Sequence, residues 1–152
     1  MKTILSLVFI ALLISCNTKE ENKRKIDTAA PDAAAIMRGK SCYQHINGRD
    51  TVVMAIVMSA NNANGELVYK LDGKDKNDGT FSGTFIGDTL YADYTFNSEG
   101  TKSVRETVFL RRKDALIQGF GEMTESGNRQ SFIDPKKVKF DESLVLRKKD
   151  CR

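Results

Sequence analysis

From residue 41 onward, apolar and polar residues alternate along the chain, and clusters of glycine, asparagine and aspartate interrupt the alternation. A period of two places every second side chain on one face, which is typical of half-buried β-strands. Asn47-Gly48 is a strong turn signal, because both residues tolerate a positive φ. The pattern predicts strands at 42–46, 51–59, 66–71, 80–86, 89–97, 104–112, 115–124, 131–133, 138–140 and 143–146.

The connections between these segments are short, and no segment is a convincing helix. Short connections favour a single antiparallel up-and-down meander of about eight to ten strands. Such a meander hides its edge strands by closing into a small barrel. We therefore predict an all-β domain over residues 41–152. The strand pattern resembles that of lipocalin-like and avidin-like barrels, although the chain contains no tryptophan and hence no Gly-x-Trp signature.

The N-terminus has a different pattern. Met1-Lys2 gives a positive start, residues 4–14 are apolar apart from Ser6, and Leu13-Ile14-Ser15-Cys16 closes the run. A run this short is typical of a signal peptide and too brief for a membrane-spanning helix. The four closing residues resemble the lipobox of bacterial lipoproteins. The resemblance implies that residues 1–15 are a signal peptide and that Cys16 is lipidated, so that the lipid holds the protein on a membrane.

Residues 17–40 are charged first and rich in alanine later, without aromatic residues, so we interpret residues 16–40 as the lipidated cysteine and a flexible tether. Lys19-Glu20-Glu21 is similar to the surface-export signal of Bacteroidota lipoproteins, which would place the protein on the outer membrane and expose it at the cell surface. The alternative is an ordinary charged tether, in which case the protein could equally face the periplasm.

Two cysteines remain for the barrel domain, Cys42 and Cys151, at its two ends. Export to an oxidising compartment predicts a disulfide between them. It would close a loop of roughly 110 residues and stabilise the domain by about 4–5 kcal/mol in the chain-entropy model. It would also tie the first strand to the last, as closure of a barrel requires.

Charge and motifs narrow the function. The net charge of +4 is small and spread along the chain, so we expect no nucleic-acid partner. His45 is the sole histidine, which excludes a multi-histidine metal site and most catalytic triads. We interpret it as a hydrogen-bonded surface or edge residue. No GxSxG, HExxH or P-loop motif is present. The acidic residues at 72–78 do not match a calcium loop. We therefore predict no enzyme, no cofactor and no metal.

Polar residues on faces predicted to point inward are the candidates for a binding site. On 104–112, Glu106 is in phase with Val104, Val108 and Leu110, and on 115–124 Gln118 and Glu122 are in phase with Leu116 and Phe120. A buried carboxylate needs a partner, water or a ligand. The candidate ligand-binding residues are Tyr69, Tyr94, Arg105, Glu106, Gln118 and Glu122. The alternative is that these faces meet solvent near a barrel rim.

The expected function is non-enzymatic binding of a small apolar ligand or a cell-envelope component. The alternative is an interaction or inhibitor module that binds a surface protein through its outer face. Small lipoprotein inhibitors of lysozyme share the size, barrel and disulfide, but residues 82–87 are only loosely similar to their loop, so no inhibitory residue is assigned. Large inward residues would favour the alternative by filling the barrel; those expected inward are Phe81, Phe85, Phe96, Phe120, Met54 and Met58.

Overall fold

The computed structural model describes residues 39–98 and 100–151. The predicted signal peptide, the lipidation site Cys16 and nearly all of the predicted tether lie outside these residues. The described chain forms one 3-10 turn, Pro135–Lys137, and ten strands: β1 (Lys40–Asn47), β2 (Asp50–Ser59), β3 (Asn62–Lys70), β4 (Asn77–Ile86), β5 (Thr89–Ser98), β6 (Thr101–Arg112), β7 (Ala115–Gln118), β8 (Met123–Ser126), β9 (Arg129–Phe132) and β10 (Val145–Lys149).

Eight of the strands close into an antiparallel barrel. Strands β1 to β7 pair in sequence order, β10 pairs with β7, and β10 also pairs with β1, which closes the ring. The predicted all-β meander is therefore confirmed, and the barrel is compatible with a lipocalin-like fold. Gly48, with φ of 59°, forms the turn between β1 and β2 at the predicted Asn47-Gly48 position.

The remaining two strands form a hairpin outside the barrel, which we call the arm (β8 and β9). β9 runs parallel to β6 and pairs with it through Val104 opposite Arg129 and Arg105 opposite Gln130. We expected a continuous strand over 115–124, and this was wrong, because β7 ends at Gln118. The chain then passes Gly119, where an added Cβ would overlap the side chains of Val138 and Phe140.

The two ends of the barrel differ, and we name them for what they carry. The disulfide end contains the start of β1, the end of β10 and the turns after β2, β4 and β6. There Cys42 and Cys151 form the predicted disulfide, with 5.2 Å between their Cα atoms. The arm end is the opposite one, where β1, β3, β5 and β7 finish and the arm begins.

The hydrophobic core fills the interior of the barrel. On β4 the inward row alternates between glycine and phenylalanine, and an added Cβ at Gly79 or Gly83 would overlap β5. The glycines thus let two strands approach closely while Phe81 and Phe85 occupy the interior. The core cluster comprises Val52, Met54, Ile56, Ala63, Leu67, Tyr69, Phe81, Phe85, Leu90, Ala92, Tyr94, Phe96, Phe109, Leu116 and Leu146.

The orientation of β6 differs from our expectation. Phe109 pairs with the core residue Leu90, so its row points inward and the row of Val108 points outward. Val108 is nevertheless 2 % exposed, and it lines a groove with Phe132 of the arm. Both rows of β6 therefore carry buried apolar residues, and alternation alone selects the wrong one.

Two of the large residues expected to fill the barrel do not do so. Phe120 lies beyond β7, where it pairs with Lys139 in an isolated bridge, and is 41 % exposed. Met58 pairs with the inward residue Ala63 but lies at the disulfide end and is 37 % exposed.

Candidate functional site

Four of the predicted site residues meet inside the barrel at the arm end. Tyr69 lies near the end of β3 and Gln118 at the end of β7, and the Tyr69 hydroxyl donates a hydrogen bond of 3.1 Å to Gln118 Oε1. Tyr94 of β5 lies directly opposite Arg105 of β6 in the antiparallel register. The rings of Tyr69 and Tyr94 are 5.6 Å apart in an edge-to-face arrangement. We call these residues, together with Thr107, the mouth cluster.

The hydroxyl groups of this cluster are deeply buried, and two are unsatisfied. Among the described residues, Tyr94 Oη and Thr107 Oγ1 are buried side-chain polar atoms with no hydrogen-bond partner. Thr107 lies near the Tyr69 hydroxyl without reaching hydrogen-bonding geometry. An unpaired buried polar group costs about 1–3 kcal/mol, so these atoms favour the arrival of water or of a polar ligand group.

Burial dominates the titration of both phenols. It raises the pKa of Tyr69 to about 12, while Thr107, Arg105 and Gln118 act in the opposite direction. Burial is also the largest cause that raises the pKa of Tyr94, followed by the nearby Tyr69 and Asp78, while Arg105 lowers it. Both phenols are therefore neutral donors at physiological pH, and Arg105 is close enough to influence each of them.

Arg105 supplies the positive charge of the site. Its guanidinium lies over the ring of Phe96, 5.1 Å from the centroid, and its Nε donates a 2.8 Å hydrogen bond to Gln130 Oε1 of the arm. No carboxylate among the residues that the structure describes forms an ion pair with it. A cavity of about 460 Å³ opens here, lined by Asn77, Phe96, Thr101, Ser103, Val104, Arg105, Glu125, Gly127, Asn128 and Gln130. The Arg105 guanidinium, stacked on the Phe96 ring, can pair with an anionic group that enters this cavity.

Glu106 is not part of the mouth cluster, contrary to the predicted phase of β6. It points outward, where its carboxylate accepts hydrogen bonds from Phe132 N at 2.9 Å and from Arg129 at 3.1 Å. Arg129 also binds Asp93 at 2.7 Å, and Asp93 and then Glu106 raise the pKa of the guanidinium. Glu106 therefore fastens the arm to the outside of the barrel.

Glu122 is also separate from the cluster. It lies on the exposed segment between β7 and β8 and lines a cavity of about 470 Å³ with Phe120, Ile133 and Lys137. Its predicted inward position required the strand to continue past Gln118, which it does not.

Sequence reasoning missed three residues of the site: Thr107, Phe96 as the platform under Arg105, and Gln130 of the arm. Thr107 is two positions from Arg105, and the correct phase of β6 would have found it. Gln130 is 25 positions from its partner, and no local pattern signals that contact.

His45 has a structural environment. It is half-buried near the arm end, and its Nδ1 donates to the carbonyl oxygen of Val145 at 3.0 Å, which agrees with the interpretation as a hydrogen-bonded residue. Within residues 39–98 and 100–151, no three His, Cys, Asp or Glu side chains are grouped as metal ligands would be. Over the same residues, no helix is long and apolar enough to cross a membrane.

A comparison with known protein families, with curated proteins and with solved structures finds no match for this chain.

Proposed function

We propose that this chain is an exported lipoprotein of the outer membrane, anchored by lipid on Cys16, whose barrel binds a small amphipathic ligand without chemical turnover. The anionic group of the ligand pairs with Arg105 at the arm end, and its apolar part lies in the adjacent cavity, whose lining includes Val104 and Phe96. The observation that carries the proposal is a cation inside the barrel mouth, beside two unpaired hydroxyls and without an ion-pair partner in the described chain.

The chemistry of the donors favours a carboxylate. Arg105 retains donors beyond the one held by Gln130, and its charge lies close enough to the Tyr94 phenol to lower the pKa of that group. A carboxylate accepts several such hydrogen bonds, and charge-assisted bonds are stronger than neutral ones. A ligand that is only apolar would leave the remaining donors of Arg105 unpaired.

The packing of the barrel limits where the ligand lies. Large side chains occupy the interior, and Tyr94, Phe109, Met54 and Leu67 are each less than 2 % exposed. The cavity of about 460 Å³ lies at the mouth, between the barrel rim and the arm. The ligand is therefore held at the mouth, with its bulk under the arm rather than deep in the core.

The first test is a non-denaturing mass spectrum of the mature protein taken gently from its native membrane. We expect a lipid mass on the N-terminal Cys16 and a second, non-covalent mass that is acidic. Absence of the covalent lipid would refute the anchor, while absence of the second mass moves the question to direct binding.

Direct binding is measured with octanoate and octanol, which share a chain length and differ in charge. Octanoate should bind at least about tenfold more tightly, because a hydrogen bond to a charged group contributes roughly 1.5–3 kcal/mol. Arg105→Gln should remove this difference. Arg111→Gln is the matched control, because Arg111 lies over Phe85 at the opposite end. Equal binding of the two probes would contradict the proposal.

A second candidate function is binding of a protein or envelope partner through the outer face. It is favoured by a groove of about 380 Å³ between the arm and β4–β6, whose wall includes Tyr91. Tyr91 is 39 % exposed, and aromatic residues of this kind anchor many interfaces. Tyr91→Ala should abolish binding of such a partner and leave octanoate binding unchanged.

A further inference from the structure

Basic side chains outnumber acidic ones at the disulfide end of the barrel. They come from the start of β1, the turn between β6 and β7, and the end of β10, whereas few acidic residues lie at this end. The basic residues are Lys40, Arg111, Arg112, Lys113, Arg147, Lys148 and Lys149, and the acidic ones are Asp88, Asp114 and Asp150. We call this set of basic residues the basic rim.

The basic rim is continuous across neighbouring strands. Ala115 of β7 pairs with Arg112 on one side and with Arg147 on the other, so these two cations flank it. Lys149 pairs with Cys42 on β1. Arg111 binds Asp88 at 3.3 Å, and it is the only rim member in an ion pair among residues 39–98 and 100–151. The other six rim members form no ion pair in the described part of the chain, and all members of the rim except Lys40 are exposed.

Exposed apolar side chains lie beside the rim. Ile86, at the turn after β4, is 69 % exposed, and Met58, at the end of β2, is 37 % exposed. Basic residues interspersed with exposed apolar ones are characteristic of surfaces that rest on the interface of a membrane. Charge alone would suit many partners, but this combination favours lipid.

The course of the chain points the same way. Lys40, the first residue of β1, lies at the disulfide end, so the segment that follows Cys16 joins the barrel on this side. We propose that the basic rim docks on the anionic phospholipid headgroups of the membrane to which the chain is anchored. The rim meets the headgroup phosphates, Ile86 and Met58 reach the interface, and the mouth cluster faces away from the membrane.

This inference rests on the proposed lipid anchor for its location, but the rim itself needs no lipid on the protein. A single acyl chain gives marginal membrane binding, and a basic surface is a common second signal. Each basic side chain near an anionic surface strengthens binding by roughly fivefold at moderate salt. The rim would thus orient the barrel as well as hold it.

The test uses the mature chain with Cys16→Ser, which carries no lipid, and vesicles of phosphatidylcholine with or without phosphatidylglycerol. We expect co-sedimentation with the anionic vesicles only, weakening steeply as salt is added. The triple variant Arg112→Glu, Lys113→Glu and Lys149→Glu should weaken binding by at least about 100-fold, given roughly fivefold per removed cation.

The matched control makes the same change in net charge at the arm end, with Lys70→Glu, Lys74→Glu and Lys102→Glu. It should retain most of the binding, because these lysines face away from the membrane. Equal weakening by both triple variants, or equal binding to neutral vesicles, would overturn the proposal. Circular dichroism checks that each variant folds, and the salt titration of the unsubstituted rim tests the idea independently. If the Cys16→Ser chain does not bind anionic vesicles while Cys16 of the native protein carries lipid, the rim is refuted and the anchor stands.

Discussion

The two ends of the barrel carry the same arginine–phenylalanine pair and differ in whether a carboxylate neutralises the arginine. At each end an arginine of β6 lies over a phenylalanine ring: Arg111 over Phe85 at 4.5 Å and Arg105 over Phe96 at 5.1 Å. Arg111 forms an ion pair with Asp88, whereas Arg105 is held by the neutral side chain of Gln130. The charge of the stacked arginine is thus neutralised by a carboxylate at one end, whereas at the other end the arginine remains able to pair with an anion.

The difference extends to the surroundings of each arginine. The disulfide end is closed covalently by Cys42 and Cys151 and bears the basic rim on its outside. The arm end has polar groups inside the barrel, and two of the buried hydroxyls there have no partner in the described chain. The covalent cross-link therefore lies at one end of the barrel, and the unpaired buried hydroxyls lie towards the other.

The largest expected effect tests the disulfide end. The double substitution Cys42→Ser and Cys151→Ser should lower the free energy of unfolding by about 4–5 kcal/mol, because the disulfide closes a loop of 109 residues. Thermal unfolding in non-reducing buffer measures it. Adding a reductant should reproduce the loss in the parent protein and have no further effect on the variant. Hydrogen exchange should accelerate first in β1 and β10; uniform acceleration would show that the two ends are not distinct.

The second prediction concerns the arm end at alkaline pH. The pKa of Tyr69 is raised to about 12 in the folded state from 10.0, so the phenol binds its proton more tightly when folded. The free energy of unfolding therefore contains a contribution from this proton that is fully present below pH 10. This contribution, about 2–3 kcal/mol, is lost as the pH rises towards 12. Denaturant unfolding across this range measures the loss. Tyr69→Phe should make the profile shallower, leaving the part that belongs to Tyr94, and an unchanged slope in that variant would contradict the assignment.

The third prediction concerns the unpaired hydroxyl of Tyr94. Tyr94→Phe removes a buried donor that has no described partner, so the ligand-free protein should become more stable by about 1 kcal/mol. Octanoate should bind more weakly to the same variant, because the proposed carboxylate loses a hydroxyl donor. Tyr91→Phe, at an exposed outer position, is the control and should change neither quantity. Lower stability of Tyr94→Phe would mean that the hydroxyl is satisfied by bound water.

The smallest expected effect concerns how the arm is held at the mouth. Glu106→Gln keeps the shape of the side chain and removes its charge, so its hydrogen bonds with Arg129 and Phe132 N weaken. Hydrogen exchange of the Phe132 amide should speed up while β1 and β10 stay protected. Asp93→Asn is the comparison, because Asp93 binds Arg129 without contacting that amide. Faster exchange at the disulfide end would show that the arm is coupled to the whole barrel.

The sequence by itself determined most of the barrel strands, the meander and the disulfide. Alternation along β5 placed Leu90, Ala92, Tyr94 and Phe96 on one face, and the structure has all four in the core. This works because the outward row of β5 meets solvent and is polar, so the period of two is visible. The position of the two barrel cysteines near the ends of the domain was likewise readable without a structure.

Tertiary structure decided which row of β6 points inward and where β7 ends. The arm buries the outer row of β6, so Val108 is apolar although it faces away from the core. Burial on both faces erases the periodicity from which orientation is inferred, and the contact that causes it joins residues far apart in the chain. For the same reason the mouth cluster was predicted only in part. Four predicted residues belong to it, Tyr69, Tyr94, Arg105 and Gln118, and Thr107 was missed. Glu106 and Glu122 lie elsewhere because of long-range packing that the sequence does not reveal.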